Sequence, residues 1–453
     1  MALQFQAVVL AGSIGSQLYP LNSTGTPKAL LPIGNQHLIT YPLQTLEEGG
    51  IKDVLVLCQG ETASAKVSSW IAKNYQGPLH LEVKSVPEDS GTADALRTVR
   101  DKLKGANIVV ISGDLVADVP LKAIMATHYV NQSTATSLLA PRKTSPSSET
   151  KPGKAPKDVD YIGMDEAQKR LLFFASSPEM KSKLRVPLTA LKQFGQLTVR
   201  TDFVDVHLYV FNLEAMLTAL DTRPAISSIK QDLVPHLVRN QFSGLGRQPC
   251  AQSGDSASTP TARVMASPFS AAPVQKAMEI LSLGEGASSQ RGFSVFLASK
   301  DQFCMRARDV HSYREVNKEI TAPELALRLL QQKPNPKHDN YVHESVQLGT
   351  NKTTVGAGCI IGPATILSDK CSVKRSVIGG SCKLGTNVKV LNSVIMDSVT
   401  IEEGCHLQNT VVCAGAHLKA KSTLNKCIVG PDYIVAETSD LRDEVVAKSR
   451  ATH

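Results

Sequence analysis

The sequence predicts an α/β fold in two unlike parts. A mixed, mostly parallel sheet flanked by helices comes first, and a left-handed parallel β-helix of hexapeptide repeats follows. Two observations carry this. Over the first 140 residues short β-branched runs alternate with longer amphipathic segments, the rhythm of strand, helix, strand. In the last quarter single aliphatic residues return at steps of 6, 6 and 5, a period of 17 residues.

Taken in order, Gln6-Ala7-Val8-Val9-Leu10-Ala11 reads as a buried strand ending in a glycine-bearing turn. Asp53–Leu57 and Asn107–Ile111 read as further strands, with helices expected between them at His37–Glu48 and Thr92–Leu103. Such an arrangement is Rossmann-like. Its crossovers are right-handed, which leaves the loops at the carboxyl ends of the strands as the ligand edge. Pro141–Lys157 is rich in Ser, Pro, Lys and Thr and is expected to be an exposed, disordered insertion. Pattern returns over Asp158–Val238, where Phe203–Phe211 is a clear strand. Cys250–Ala272 is expected to be a linker, and Asp309–Leu330 to contain a helix that Pro334–Asn340 breaks. The expected divisions are 1–249, 250–340 for linker and connecting helix, 341–430 for the β-helix, and a tail at 431–453.

The repeat stacks into columns. Ile361, Ile378, Ile395, Val412 and Val429 form one, Leu367, Leu384, Ile401 and Leu418 a second, and Val373, Val390, Leu407 and Leu424 a third. Three short strands per turn, each with one inward aliphatic, make a triangular coil, and the step of 5 makes one corner tighter. An ordinary sandwich of amphipathic strands has no reason to hold a fixed period over four returns. Cys371 and Cys405 share a column but stand two coils apart, about 10 Å at ~4.8 Å per coil. That exceeds the ~7 Å between α-carbons that a disulfide spans. They read as small side chains on the coil walls.

Composition excludes several classes. The chain has 453 residues, 42% hydrophobic and 20% charged, close to the globular average and room for two or three domains. Its 49 basic and 41 acidic residues leave a net charge of +8, which permits an acidic partner without demanding nucleic acid. No apolar run approaches the ~20 residues needed to cross a bilayer. Met1–Ala11 lacks a basic stretch before its apolar run, so neither a secretory signal nor a membrane partner is expected. Nine cysteines, none in a Cys-x-x-Cys pair, read as reduced thiols of a cytosolic protein rather than a metal site.

The candidate site follows the first strand. Leu10-Ala11-Gly12-Ser13-Ile14-Gly15-Ser16-Gln17-Leu18-Tyr19-Pro20-Leu21 is followed six residues on by Pro27-Lys28-Ala29-Leu30-Leu31-Pro32. A glycine turn after a buried strand lets backbone N–H groups approach a phosphate, and a nearby lysine neutralises it. Two glycines alone are weak evidence; with the Pro-Lys-x-Leu-Leu-Pro segment the combination resembles the sugar nucleotidyltransferases. Gly91-Thr92-Ala93-Asp94 is similar to that family's base- and substrate-contacting segment, and Ser112-Gly113-Asp114 to the one that holds magnesium.

The departures bear on function. Gln17 stands where the family has an arginine that stabilises charge developing in the transfer. Losing such a cation typically costs about 2–4 kcal/mol of transition-state stabilisation. Ser13 replaces the second loop glycine, Asp205-Val206-His207 replaces Asn-Ala-Gly, and Lys230-Gln231-Asp232 replaces Glu-Lys-Asp. Fold-determining residues stay while charge-handling residues change, which describes a scaffold without the chemistry. Lys28 and Asp114 then have two readings, as relics at the sheet edge or as a weak site for a nucleotide or phosphate. His207 is expected to be a structural histidine rather than a base. No residue is assigned a catalytic, metal-binding or cofactor-binding role. The vestigial pocket comprises Gly12, Gly15, Gln17, Lys28, Gly91, Thr92, Asp114 and Asp232.

A degenerate domain of this type, two low-complexity insertions and a short β-helix together resemble the gamma subunits of eukaryotic translation initiation factor 2B. Gly91–Arg97, Tyr161–Asp165, Lys169–Phe173, Val204–Tyr209, Lys374–Gly379 and Asn392–Val399 carry this resemblance. It implies a cytosolic, non-catalytic regulatory or scaffold subunit without a cofactor, in a complex that promotes GDP-to-GTP exchange on initiation factor 2. The implied partners are the epsilon subunit, which carries the exchange activity on a helical domain, the alpha, beta and delta subunits, and initiation factor 2. Only about two dozen residues follow Val429, so no such helical domain is expected here. The alternatives are an active sugar-1-phosphate nucleotidyltransferase, of the mannose-1-phosphate guanylyltransferase or glucose-1-phosphate adenylyltransferase type, or the regulatory partner of such a guanylyltransferase.

Overall fold

The computed structural model describes residues 5–12, 16–142, 159–176 except 166 and 168, 186, 188–242, and 291–448 except 332, 334, 336 and 337. The expected insertion over Pro141–Lys157, apart from its first two residues, and the linker over Cys250–Ala272 lie outside these.

Seven strands form the first sheet: β1 (Phe5–Gly12), β2 (Asp53–Gln59), β3 (His80–Val86), β4 (Asn107–Ser112), β5 (Ala135–Pro141), β6 (Phe203–Asn212) and β7 (Phe293–Leu297), in the order β7-β5-β6-β4-β1-β2-β3. β1 runs parallel to β2 and β4, whereas β6 is antiparallel to β4 and β5, so the sheet is mixed and mostly parallel. Its near-continuous apolar strands are what burial on both faces demands. Val8, Val110 and Tyr209 point into one core, and Ala7, Val9 and Val109 into the other. Helices α1 (Thr40–Gly49), α2 (Glu61–Asn74) and α4 (Leu121–Val130) cover the second face; α3 (Thr92–Thr98), α5 (Leu213–Thr222) and α6 (Val234–Asn240) cover the first.

Four expectations change, three of them ahead of the coils. The helix expected over Thr92–Leu103 leaves the α conformation at Thr98 and adds one 3-10 turn, Arg100–Lys102, beyond the β-branched pair Thr98-Val99. The helix expected within Asp309–Leu330 is two, α7 (Val310–Glu319) and α8 (Pro323–Leu329), because Pro323 cannot continue the first and suits the opening turn of the second. The division at residue 249 is crossed, since β7 completes the sheet edge and strand Cys304–Arg306 pairs with Leu115–Ala117.

The second part is the β-helix, three parallel sheets of seven, six and six strands. Registers such as Ile361↔Ile378↔Ile395 confirm the columns, whose members are at most 2% exposed. The coils run past the expected end at Gly430, with strands to Val446. The signal fades there because Tyr433, Leu441 and Val446 close the interior less completely than the earlier aliphatics. Corners at Ala364, Ser381, Ser398, Gly415 and Asp432 adopt positive φ every 17 residues, and Lys370, Asn387, Gly404, Lys421 and Thr438 do the same one corner on. Eight cysteines among the described residues are buried and free. Cys359, Cys371, Cys382, Cys405 and Cys427 of the coils donate to backbone carbonyls, for example Cys382 Sγ to Met396 O at 3.1 Å and Cys405 Sγ to Lys419 O at 3.2 Å. No helix among the described residues is long and apolar enough to cross a membrane.

A third core joins the parts. Leu18, Leu31, Ile33 and Tyr41 of the α/β domain meet Tyr313, Val316 and Leu329 of α7 and α8, and these meet Tyr341, Ile360, Val377, Val394 and Val411 on one outer face of the coils. Asn35 donates to Ile378 O at 2.8 Å and Arg314 to Asn409 O at 3.0 Å across the joint.

Candidate functional site at the sheet edge

The candidate residues after β1 and β4 lie together at the carboxyl ends of these two strands. Gly12 closes β1 with φ +72°, a conformation that suits glycine. Gly113 lies so close beneath β1 that an added Cβ would stand 2.8 Å from Ala11 Cα, and its N–H donates to Leu10 O at 2.8 Å. That contact fixes where Asp114 emerges. Pro27 leads into the 3-10 turn Lys28–Leu30, which aims Lys28 at the same point.

Asp114 is buried and every acceptor position of its carboxylate is taken. Arg306 Nε donates to Oδ1 at 2.7 Å and Nη2 to Oδ2 at 3.0 Å, Ser112 Oγ donates to Oδ1 at 2.7 Å, and Lys28 Nζ pairs with Oδ2. Burial alone would raise the carboxyl pKa, but the Arg306 and Lys28 charges outweigh it and hold it well below the usual range. Burial lowers the pKa of Lys28, against the pull of Asp114. A divalent cation does not fit here: it would find no free carboxylate lone pair and two positive charges already in contact.

A second cluster adjoins the first. Lys230 pairs with Asp160 at 2.8 Å, and Asp160 accepts the Asp205 N–H at 3.1 Å. Asp205, fully enclosed, accepts from Tyr209 OH and from the His207 N–H at 2.9 Å. Burial raises the pKa of Asp205; burial and the Asp205 charge raise that of Tyr209. His207 sits at a bulge in β6 with φ +59°, at the position the nucleotidyltransferase pattern gives to glycine. Burial first, then the Arg306 and Lys230 charges, push its pKa well below the usual histidine value, so it is neutral near pH 7. Asp160, His207 and Lys230 line an open pocket of about 230 Å³ with Ser176, Ser228 and Arg308, and Asp205 and Tyr209 lie behind them.

Other members of the sequence-defined pocket serve the fold. A Cβ on Gly91 would stand 2.2 Å from Ser227 O, Thr92 Oγ1 accepts the Ile229 N–H at 2.8 Å, and the Ala93 N–H donates to Ser227 O at 2.7 Å. Asp232 accepts from the N–H groups of Ser227 and Ser228 at 3.0 and 2.8 Å. Gly91, Thr92 and Asp232 thus hold one loop against the start of α3. Gln17 is exposed in a 3-10 turn, and Gly15 lies outside the described residues. Arg306 and Asp160 escaped sequence reasoning. The alternation Met305-Arg306-Ala307-Arg308 shows two basic residues two apart, a pattern that does not separate a buried ion pair from a solvated face.

A family described as Nucleotidyl transferase matches residues 6–225, and one described as EIF2B subunit epsilon LbH domain matches residues 337–441. The chain is 31% identical to translation initiation factor eIF2B subunit gamma of Schizosaccharomyces pombe, over 96% of this chain and 87% of that one. It is 28% identical to the protein of the same name from Dictyostelium discoideum, over 84% and 88%. Against eIF2B subunit epsilon of Schizosaccharomyces pombe it is 24% identical, over 45% and 30%.

Proposed function

The chain belongs to the family of translation initiation factor eIF2B gamma subunits, and from that premise we propose that it is a non-catalytic regulatory and scaffold subunit of the eIF2B complex. In this reading it pairs with the epsilon subunit, which carries the exchange activity. Together with the alpha, beta and delta subunits they act in the cytosol on initiation factor 2, promoting replacement of GDP by GTP.

One observation carries the non-catalytic part. The carboxylate that would gather a metal and a triphosphate is saturated by Arg306, Lys28 and Ser112. Nucleotidyl transfer needs positive charge on the triphosphate, and here the positive charge is spent on Asp114 while Gln17 offers none. The scaffold part is supported by an extended outer surface of parallel coils, joined to the α/β domain through the third core.

Pyrophosphate release tests the first part. The full chain with magnesium, GTP or ATP and a panel of sugar 1-phosphates is expected to give background rates, and sustained turnover would overturn the reading. Sedimentation with and without the epsilon subunit tests the second. A stable hetero-oligomer is expected; a well-behaved monomer indifferent to epsilon would overturn it.

A further inference from the structure

Arg306 reaches Asp114 from 192 residues further along the chain, and backbone geometry fixes its approach. Strand Cys304–Arg306 pairs antiparallel with Leu115–Ala117, with Arg306 opposite Leu115. The Ala307 N–H donates to Asp114 O at 3.0 Å and the Asp118 N–H to Phe303 O at 2.8 Å. The guanidinium therefore lies against the carboxylate as a two-pronged fork, and its Nη2 also reaches Ser112 Oγ at 3.2 Å. Both cations keep only 17% of their side-chain exposure, and the carboxylate 4%. Three residues later Asp309 caps α7, accepting the Ser312 N–H at 2.8 Å. α7 then buries Tyr313 and Val316 against Ile33 on one side and the coils on the other. The chain passes from the old metal edge to the β-helix joint within a single turn of helix.

We infer that Arg306 is a resident cation standing where Asp114 would otherwise hold a divalent metal, and that the pair now pins the segment joining the α/β domain to the β-helix. This goes beyond lack of turnover, since a chain inert for other reasons would still be free to bind metal at Asp114. The carboxylate has changed partner from a dissociable ion to a covalently attached one, so the joint is independent of metal supply.

Manganese binding to the full chain, read by loss of the free-ion paramagnetic resonance signal, tests the first half. The native chain is expected to leave the signal unchanged. One ion bound per chain and lost in Asp114→Asn would overturn the inference, whatever the outcome of the turnover assay. In the Lys28→Ala/Arg306→Ala double variant the freed carboxylate is expected to take up one ion; a folded double variant that takes up none would also overturn it. Hydrogen exchange tests the second half with the milder Arg306→Lys, which keeps the charge but loses the fork. Exchange across Val310–Glu319 is expected to quicken at least tenfold while β1 is unchanged, with manganese still excluded. Unchanged protection of Val310–Glu319 would sink the pin.

Discussion

Asp205 and Asp114 lie in one site and answer pH in opposite directions. Burial raises the folded pKa of Asp205. Its contribution to stability is therefore complete below about pH 4 and is lost as pH rises through the folded value. Arg306 and Lys28 depress the folded pKa of Asp114 against the effect of burial, so its contribution is present above about pH 4 and is lost as pH falls through its lower folded value. Asp205→Asn should then be more stable than the native chain near pH 7 and should lose that advantage toward pH 4, as read by urea midpoints across the range. An advantage unchanged with pH would show that Asp205 does not titrate with folding. Gly91 gives a second test at this scale. Its missing Cβ would lie 2.2 Å from a backbone oxygen that cannot swing aside. Gly91→Ala is expected to cost about 1–3 kcal/mol by overpacking, measured by chemical denaturation.

Among the elements, the coils are the plainest case of sequence dictating form. Ile395 points inward and is 1% exposed, whereas Lys383 points outward and is exposed. Ile395→Ala should cost about 2–5 kcal/mol and Lys383→Ala less than about 0.5 kcal/mol, both by denaturant midpoint. The period was legible because each coil solves the same packing problem with one aliphatic per strand. The Pro-Lys-x-Leu-Leu-Pro segment and Ser112-Gly113-Asp114 were legible for a related reason: local backbone geometry dictates them, and Lys28 and Asp114 do meet. Arg306 was not legible. Its partner lies 192 residues away, and nothing local in Cys304-Met305-Arg306 distinguishes a buried ion pair from a solvated strand face. His207 carried a different blind spot, since a strand pattern does not show the bulge that gives it a positive φ.

The arrangement of the whole molecule depends on side chains that a repeat analysis assigns to the outside. Val394 precedes the inward Ile395 and belongs to the outer face, yet it is only 5% exposed because α7 and α8 cover that face. Ile360, Val377 and Val411 continue the same apolar stripe. An outward stripe of this kind is surplus for a free coil and necessary for one that is seated. Substitution at Val394 therefore separates seating from folding. A carboxylate there would be desolvated on the face that α7 and α8 cover, and Arg314, Lys318 and Arg375, which line the small cavity beside it, would offset only part of a penalty of several kcal/mol that undocking removes by returning the face to water. The interior columns are untouched, so the coils should keep their own cooperativity. Calorimetry of the full-length Val394→Asp chain is expected to show two transitions where the native chain shows one, with scattering reporting a larger radius of gyration below the first. A single transition at the native temperature with an unchanged radius would mean that the β-helix is held by something other than this stripe.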